Sequence, residues 1–400
     1  MSRTKKRNAA MIVITLVFLG IFFGSYSQYQ VAAVPSMVYS AYGLTDAQFS
    51  SIMTAPLIPA LFLSIVLGVL VDKYGVKQIV SVCMVISAIG LFIRVFATNY
   101  TMVFLGMALA GFSIAVLNAN LAKITATLFP MEKVGGVIGI IMGGSTGAMA
   151  VAYGTTALFP SLELLFWVTA IICAIITVLW LVLVRKSDFQ GASSGVVESV
   201  PIKEALGVSL KSKNVWLLGL TMLTMLGGAM VIANFQVAYL TTYKGYTEIS
   251  AGSFGTVLMI GSIIGSVSFP MIIAKSKRPA LILLIAGLIA GGAAVAMVEG
   301  AAWSIYLASF LNGALRSGMI SIMVSLTVMF PEIGPKYAGT ASGMASTMMN
   351  LGSIIIPTYI VIPLAGGNMM MYFYLAGVSI AISAILLFVL TRKMNLGTNV

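Results

Sequence analysis

Three cations stand inside long apolar runs of this chain, and they have the most chemistry to offer. Arg316, in Asn312-Gly313-Ala314-Leu315-Arg316-Ser317, falls near the midpoint of the run 302–330, too deep to reach out of it. Ser309, Asn312 and Arg316 are spaced i, i+3, i+7, which places them on one face of a helix. Arg94 stands about one turn from the end of its own run, close enough for its guanidinium to snorkel to a polar boundary. Lys123 lies two turns inside another run, with Asn120 and Thr127 on its face; it is either a second site cation or the partner of Asp72 or Glu132. A charge held in an apolar setting is costly and is a functional candidate by default. Arginine keeps its proton at a pKa above about 12, so Arg316 can recognise an anion but cannot relay protons.

The acids sharpen that distinction. All ten (Asp46, Asp72, Glu132, Glu163, Asp188, Glu198, Glu204, Glu248, Glu299, Glu332) fall in loops or at run ends, and there is no histidine. Proton coupling usually needs a titratable group within the pathway, and none is left there. Cys83 and Cys173 sit inside runs and carry no disulfide or metal signal. The chain has no nucleophile–base set, no metal cluster and no G-x-x-x-x-G-K-[ST] phosphate loop. An enzyme and an ATP-driven pump are therefore excluded, and no cofactor or metal is expected.

The elements that position these residues follow from composition. Hydrophobic residues make up 60% of the chain and charged residues 8%, against about 25% charged in a soluble domain. Apolar runs lie at 11–34, 47–71, 78–97, 102–128, 134–158, 164–184, 214–240, 250–274, 280–298, 302–330, 336–364 and 369–391. Each is near or above the roughly 20 residues that cross a bilayer as helix. The alternating ~10-residue segments of a membrane barrel are not seen. The expected fold is all-α and integral to the membrane, with twelve spans.

The net charge of +12 is topological. Arg3, Lys5, Lys6, Arg7, Lys73, Lys77, Lys133, Arg185, Lys186, Lys203, Lys211, Lys213, Lys275, Lys277, Arg278, Lys336, Arg392 and Lys393 all fall on one side of a twelve-span arrangement; Lys244 falls on the other. Lys and Arg in short loops mark the cytoplasm, so both termini are expected there and nucleic acid is excluded as a partner. The opening MSRTKKR and apolar run resemble the start of a signal peptide, but the run is long for one and its loss would break the even count. It is read as span 1.

A repeat at a shift of about 200 residues divides the chain. Tyr29-Gln30-Val31-Ala32 answers to Phe235-Gln236-Val237-Ala238, and Gly43-Leu44-Thr45-Asp46 to Gly245-Tyr246-Thr247-Glu248. Phe129-Pro130 matches Phe330-Pro331, and Gly135 and Gly139 match Gly339 and Gly343. In each half a Thr can cap span 2 or 8, with an acid in the first turn. The expected organisation is an N-terminal six-helix bundle at 1–186, a polar cytoplasmic linker at 187–212 and a C-terminal six-helix bundle at 213–400.

After span 2 comes Gly68-Val69-Leu70-Val71-Asp72-Lys73-Tyr74-Gly75-Val76-Lys77. This resembles the G-x-L-x-D-[KR]-x-G-[RK]-[KR] loop of the major facilitator superfamily, matching at Gly68, Leu70, Asp72, Lys73, Gly75 and Lys77. The place after span 8 holds Ser268, Ile272, Lys275 and Lys277 instead of Gly68, Asp72, Gly75 and Lys77. The resemblance implies two pseudo-symmetric bundles that transport by alternating access, with spans 1, 4, 7 and 10 around a cavity and 3, 6, 9 and 12 facing lipid. It makes Asp72 a latch between the halves, with Gly68, Lys73, Gly75 and Lys77 as its gating motif. Gly68 should admit a close neighbouring helix, and Gly75 the turn. Gly135, Gly139, Gly143 and Gly147 on span 5, with Gly261 and Gly265 on span 8, suit either a rocking seam between halves or packing within one.

The setting of Arg94 is similar to that of the cyanate-type and oxalate-formate-type anion transporter branches, the alternative to snorkelling. With span 10 lining the cavity, Arg316 and Asn312 should meet substrate. Tyr26, Tyr29 and Gln30 on span 1, Asn118, Asn120 and Lys123 on span 4, Asn234, Gln236 and Tyr239 on span 7, and Asn350 between Ser346 and Ser353 on span 11 are further candidates. Each could equally bond between helices. A cavity with arginine and no carboxylate should attract a small, organic or inorganic anion and resist emptying without a replacement, which is the logic of an exchanger. The competing expectation is proton-coupled movement of a drug-like or neutral solute. Against it, span 5 reads Gly143-Gly144-Ser145-Thr146-Gly147 with no antiporter Gly-Pro, and Met107 stands where an Arg is expected four residues before Gly111. A monomer in the lipid bilayer of a prokaryotic inner membrane completes the expectation.

Overall fold

The computed structural model describes residues 3–189 and 202–394. Residues 190–201, within the expected linker and including Glu198, and the terminal residues 1–2 and 395–400 lie outside the described residues.

Twelve helices are long and apolar enough to cross a membrane. Spans 1 to 6 are Asn8–Ala33, Asp46–Ser64, Val76–Val95, Tyr100–Leu128, Glu132–Leu158 and Leu162–Leu183. Spans 7 to 12 are Lys213–Lys244, Glu248–Ala274, Pro279–Glu299, Ala302–Met329, Tyr337–Ala365 and Met369–Arg392. The chain divides into a unit of residues 1–197 and a unit of residues 198–400, each compact in itself.

The span ends follow local chemistry. Thr45 caps span 2, accepting from the Gln48 backbone while the Gln48 side chain accepts from the Thr45 amide. Thr247 caps span 8, accepting from the Ser250 backbone amide without the reciprocal bond, so both repeat-related threonines serve as caps. Gly43 and Gly245 precede them with φ of 58° and 70°, a conformation that favours glycine. Asn99, Ser161 and Ser212 cap spans 4, 6 and 7.

Two spans are irregular at prolines. The helix of span 2 passes through a 3-10 turn at Ala55–Leu57, around Pro56, and continues as Ile58–Tyr74. Span 11 widens to a π-helix at Ile356–Val361, where Pro357 brings no amide proton to the helical ladder.

Close helix approach is concentrated at a few glycines. In the first unit a Cβ on Gly111 would lie 2.1 Å from the Pro56 carbonyl, pressing span 4 on span 2. In the second, a Cβ on Gly313 would lie 2.0 Å from the Leu258 carbonyl, and one on Gly265 2.0 Å from that of Ala314. Gly261 and Gly265 thus join span 8 to span 10 within their own half, through backbone contact that leaves no room for a side chain. Gly135, Gly139, Gly143 and Gly147 meet nothing within 4 Å, and neither does Gly68. The tight crossing of span 2 within its own half lies at Pro56, against Gly111.

Candidate functional site

Span 1 is fastened on every side over residues 25–30. Ser25 bonds Ser145 of span 5 at 2.8 Å, and the Tyr26 hydroxyl meets Thr155 at 3.1 Å. Gln28 donates to the Met53 carbonyl of span 2 at 2.8 Å. The Tyr29 ring stands edge-on to Tyr153. Gln30 donates to Thr169 of span 6 at 2.5 Å. Tyr26, Tyr29 and Gln30 are all buried.

Arg94 completes this clamp. Its Nη1 donates to the Ser27 carbonyl at 2.7 Å and its Nη2 to Gln30 Oε1 at 3.1 Å, while the guanidinium lies 4.1 Å over the Phe166 ring. The residue is 0% exposed. Snorkelling is thus overturned: the side chain turns into the bundle because a carbonyl, an amide oxygen and an aromatic face there satisfy a cation better than a reach to the span end. Ser27, Phe166 and Thr169 escaped the sequence reading. The one signal was Thr169, one turn after Phe166 in a strongly apolar span 6. A cavity of about 20 Å³ between spans 1, 3, 4 and 6, lined by Ser87, Ser113 and Thr177, has room for a single water and not for a substrate.

Lys123 pairs with one of its two candidate acids. Its ammonium bonds the Asp72 carboxylate, joining span 4 to the motif that follows span 2. Within that motif Gly75 takes φ 89°, so it makes the turn, and Lys77 donates to the Trp180 and Leu181 carbonyls at 3.1 and 2.7 Å. Lysine here neutralises the negative end of span 6. Span 4 also presents Asn118, Ala119, Ala122, Lys123 and Ala126 along one exposed stripe, whereas Asn120 is buried and donates to the Val116 carbonyl at 2.9 Å. An amide and an ammonium on an exposed stripe are poor chemistry for acyl chains and good chemistry for water.

The second unit repeats the clamp with different parts. Gln236, the counterpart of Gln30, donates to Ser309 of span 10 at 2.9 Å. Tyr239 is buried against Tyr243 and Phe373, its hydroxyl 3.5 Å from the Val298 carbonyl. Asn312 donates to the Ala290 carbonyl of span 9 at 2.8 Å. Arg316, one turn further along, is 8% exposed. Asn234 is fully buried, and Asn350 and Ser346 are half-buried on span 11. Of the stripe Ser309–Asn312–Arg316, two members hold neighbouring helices, so the face turns into the bundle over that stretch rather than lying open to water.

The profile of the Major Facilitator Superfamily matches residues 10–357. The chain belongs to the Major Facilitator Superfamily. Its fold is similar to that of a mutant of the nucleoside transporter NupG at a TM-score of 0.75, 16% identity, 96% of this chain and 99% of the other. It is similar also to a bacterial homologue of the human lysosomal transporter Spinster, solved inward-facing and unoccupied, at a TM-score of 0.74, 14% identity, and 99% and 98% coverage. A Danio rerio solute carrier family 2 facilitated glucose transporter member 10 is 23% identical over 157 residues, 39% of this chain. The chain matches 31% of that relative's length.

As a superfamily member the chain is a multi-pass membrane transporter of a small molecule and not an enzyme. The motif that carries the resemblance, Gly68 to Lys77, is placed by the turn at Gly75 and tied to span 4 by Asp72–Lys123 and to span 6 by Lys77.

Proposed function

We propose that this transporter exchanges small anions by alternating access, with Arg316 supplying the charge that the substrate meets. One observation carries the proposal: Arg316 lies mid-span and buried, while the acids of the described residues all lie at span ends or between spans. An anion that reaches this depth meets a fixed positive charge with no carboxylate of the described residues beside it in the span, and replacement by a second anion keeps that charge matched. Gln236 is held on this helix by the neutral Ser309. Asn312, Gln236, Tyr239, Asn350, Tyr26, Tyr29, Gln30, Asn120 and Arg94 then shape and hold the helices that carry the site, and Asn118 and Lys123 line water. Asp72 acts as the gating latch, exchanging Lys123 for another partner as the halves move. We infer a monomer in a bacterial cell membrane.

A second reading, transport of a neutral polar solute, draws on the presence of a nucleoside and a glucose transporter among the similar proteins. Counterflow in proteoliposomes separates the two, using labelled carboxylates, inorganic anions, nucleosides and hexoses with a lumenal pH dye. The expected result is counterflow of an anion, no pH signal, and a roughly 10- to 150-fold loss in Arg316→Gln, matching one charge-assisted hydrogen bond of about 1.5–3 kcal/mol. Nucleoside or hexose counterflow that survives Arg316→Gln overturns the proposal.

A further inference from the structure

Residues Ile202–Lys211 form a short amphipathic helix at the threshold of span 7. Ala205, Ser209 and Ser212, at i, i+4, i+7, are buried on the side that packs against the start of span 11 and span 7. Polar bonds fix that docking. Tyr337 donates to Glu204 at 2.5 Å, and Ser212 and Asn214 donate to Glu332 at 2.6 and 3.0 Å. The other side is apolar and uncovered: Leu206 and Leu210 are exposed, and the row continues through Trp216 onto Leu220 of span 7, both also exposed. Trp216 Nε1 donates to the Leu210 carbonyl at 2.8 Å, which ties the helix end to the first turn of the span. Lys211 and Lys213 are exposed beside this row.

We propose that this helix lies in the lipid headgroup layer and selects anionic phospholipids, with Leu206, Leu210 and Trp216 entering the acyl boundary and Lys211 and Lys213 meeting phosphates. Two features commit the face to lipid rather than to a protein. Its apolar row is continuous with the exposed surface of a membrane span. Its flanking charge is basic, the sign that an anionic leaflet attracts. Tryptophan suits the position because its ring is apolar while its N–H is already bonded. Glu204, the acid of this helix, is bonded by Tyr337 on the docked side, away from Lys211 and Lys213 at the other end of the helix.

The test uses the full chain in phosphatidylcholine vesicles containing 20% phosphatidylglycerol (roughly a natural anionic content), brominated on either one lipid or the other at equal total bromine. The Trp216 signal is the fluorescence of the native chain minus that of Trp216→Phe. Bromolipid should quench it and aqueous iodide should not. Brominated phosphatidylglycerol should quench about twofold more than brominated phosphatidylcholine, an enrichment that two lysines can supply. In Lys211→Gln with Lys213→Gln that ratio should fall to one while quenching by lipid persists. Iodide quenching without bromolipid quenching overturns the headgroup placement. Equal quenching by the two lipids in the native chain overturns the anionic selection.

Discussion

The first unit uses its buried arginine to hold span 1, whereas the second unit holds span 7 with a serine. Gln30 and Gln236 occupy equivalent places in the repeat, and both are fully buried. Gln30 receives Arg94 and gives to Thr169. Gln236 gives to Ser309, and the mid-span arginine of its half, Arg316, stands seven residues further along the same helix as Ser309. The glutamine of the first half is held by a cation and that of the second by a hydroxyl. The proposal that Arg316 meets substrate rests on its buried, mid-span place, and Arg94 is engaged by Ser27, Gln30 and Phe166.

Removing Arg94 should have the largest structural effect. Arg94→Ala leaves the Gln30 oxygen without its donor in a dry setting and opens a void, a loss of about 3 kcal/mol. The apparent melting temperature in detergent should fall by roughly 5–10 °C, with Arg94→Lys recovering part of it. An unchanged melting temperature would break the comparison at its first term. Gly111→Ala and Gly313→Ala come next, since each new methyl would meet a carbonyl at 2.1 or 2.0 Å and overpacking costs about 1–3 kcal/mol. Gly139→Ala, with open space around it, should leave the melting temperature unchanged or slightly raised. A collapse in Gly139→Ala, or indifference in the other two, would show that the halves are not held together internally as described.

Smaller effects are expected where charge meets solvent. Lys123→Gln removes the partner of Asp72, but both side chains are substantially exposed, so its thermal cost should be about 0–1 kcal/mol. Glu332 adds a pH dependence outside the spans. Burial disfavours its charge, yet hydrogen bonds from Ser212, its own backbone and Asn214 prevail and hold the carboxyl below the usual range. A depressed carboxyl stabilises the fold above its unfolded pKa and loses that contribution as pH falls through the folded one. The native chain should therefore melt slightly above Glu332→Gln at pH 7, and the gap should close on acidification. A gap that widens toward acid would reverse the sign.

Much of the fold was legible because the bilayer imposes few solutions. Every apolar run became a helix, and the threonines and glycines flanking spans 2 and 8 acted as their chemistry requires. The site was less legible. Arg94 illustrates why: its distance from the span end allowed snorkelling, and only the convergence of Ser27, Gln30 and Phe166, distant in sequence, decided otherwise. The glycines divide similarly. Spacing marked both the stripe on span 5 and the pair on span 8, but only three-dimensional proximity shows that Gly261 and Gly265 meet span 10 of their own half. The linker helix was hidden in a segment whose polar composition suggested no more than a connection.

The central claim, that Arg316 meets the substrate while Arg94 holds the fold, is tested most directly by thermal stabilisation with the anion that counterflow identifies. The native chain and Arg94→Lys should each gain several degrees at saturating anion, from their different baselines. Arg316→Gln, whatever its own baseline, should gain nothing. Full stabilisation of Arg316→Gln by the anion, or its loss in Arg94→Lys alone, would contradict the assignment.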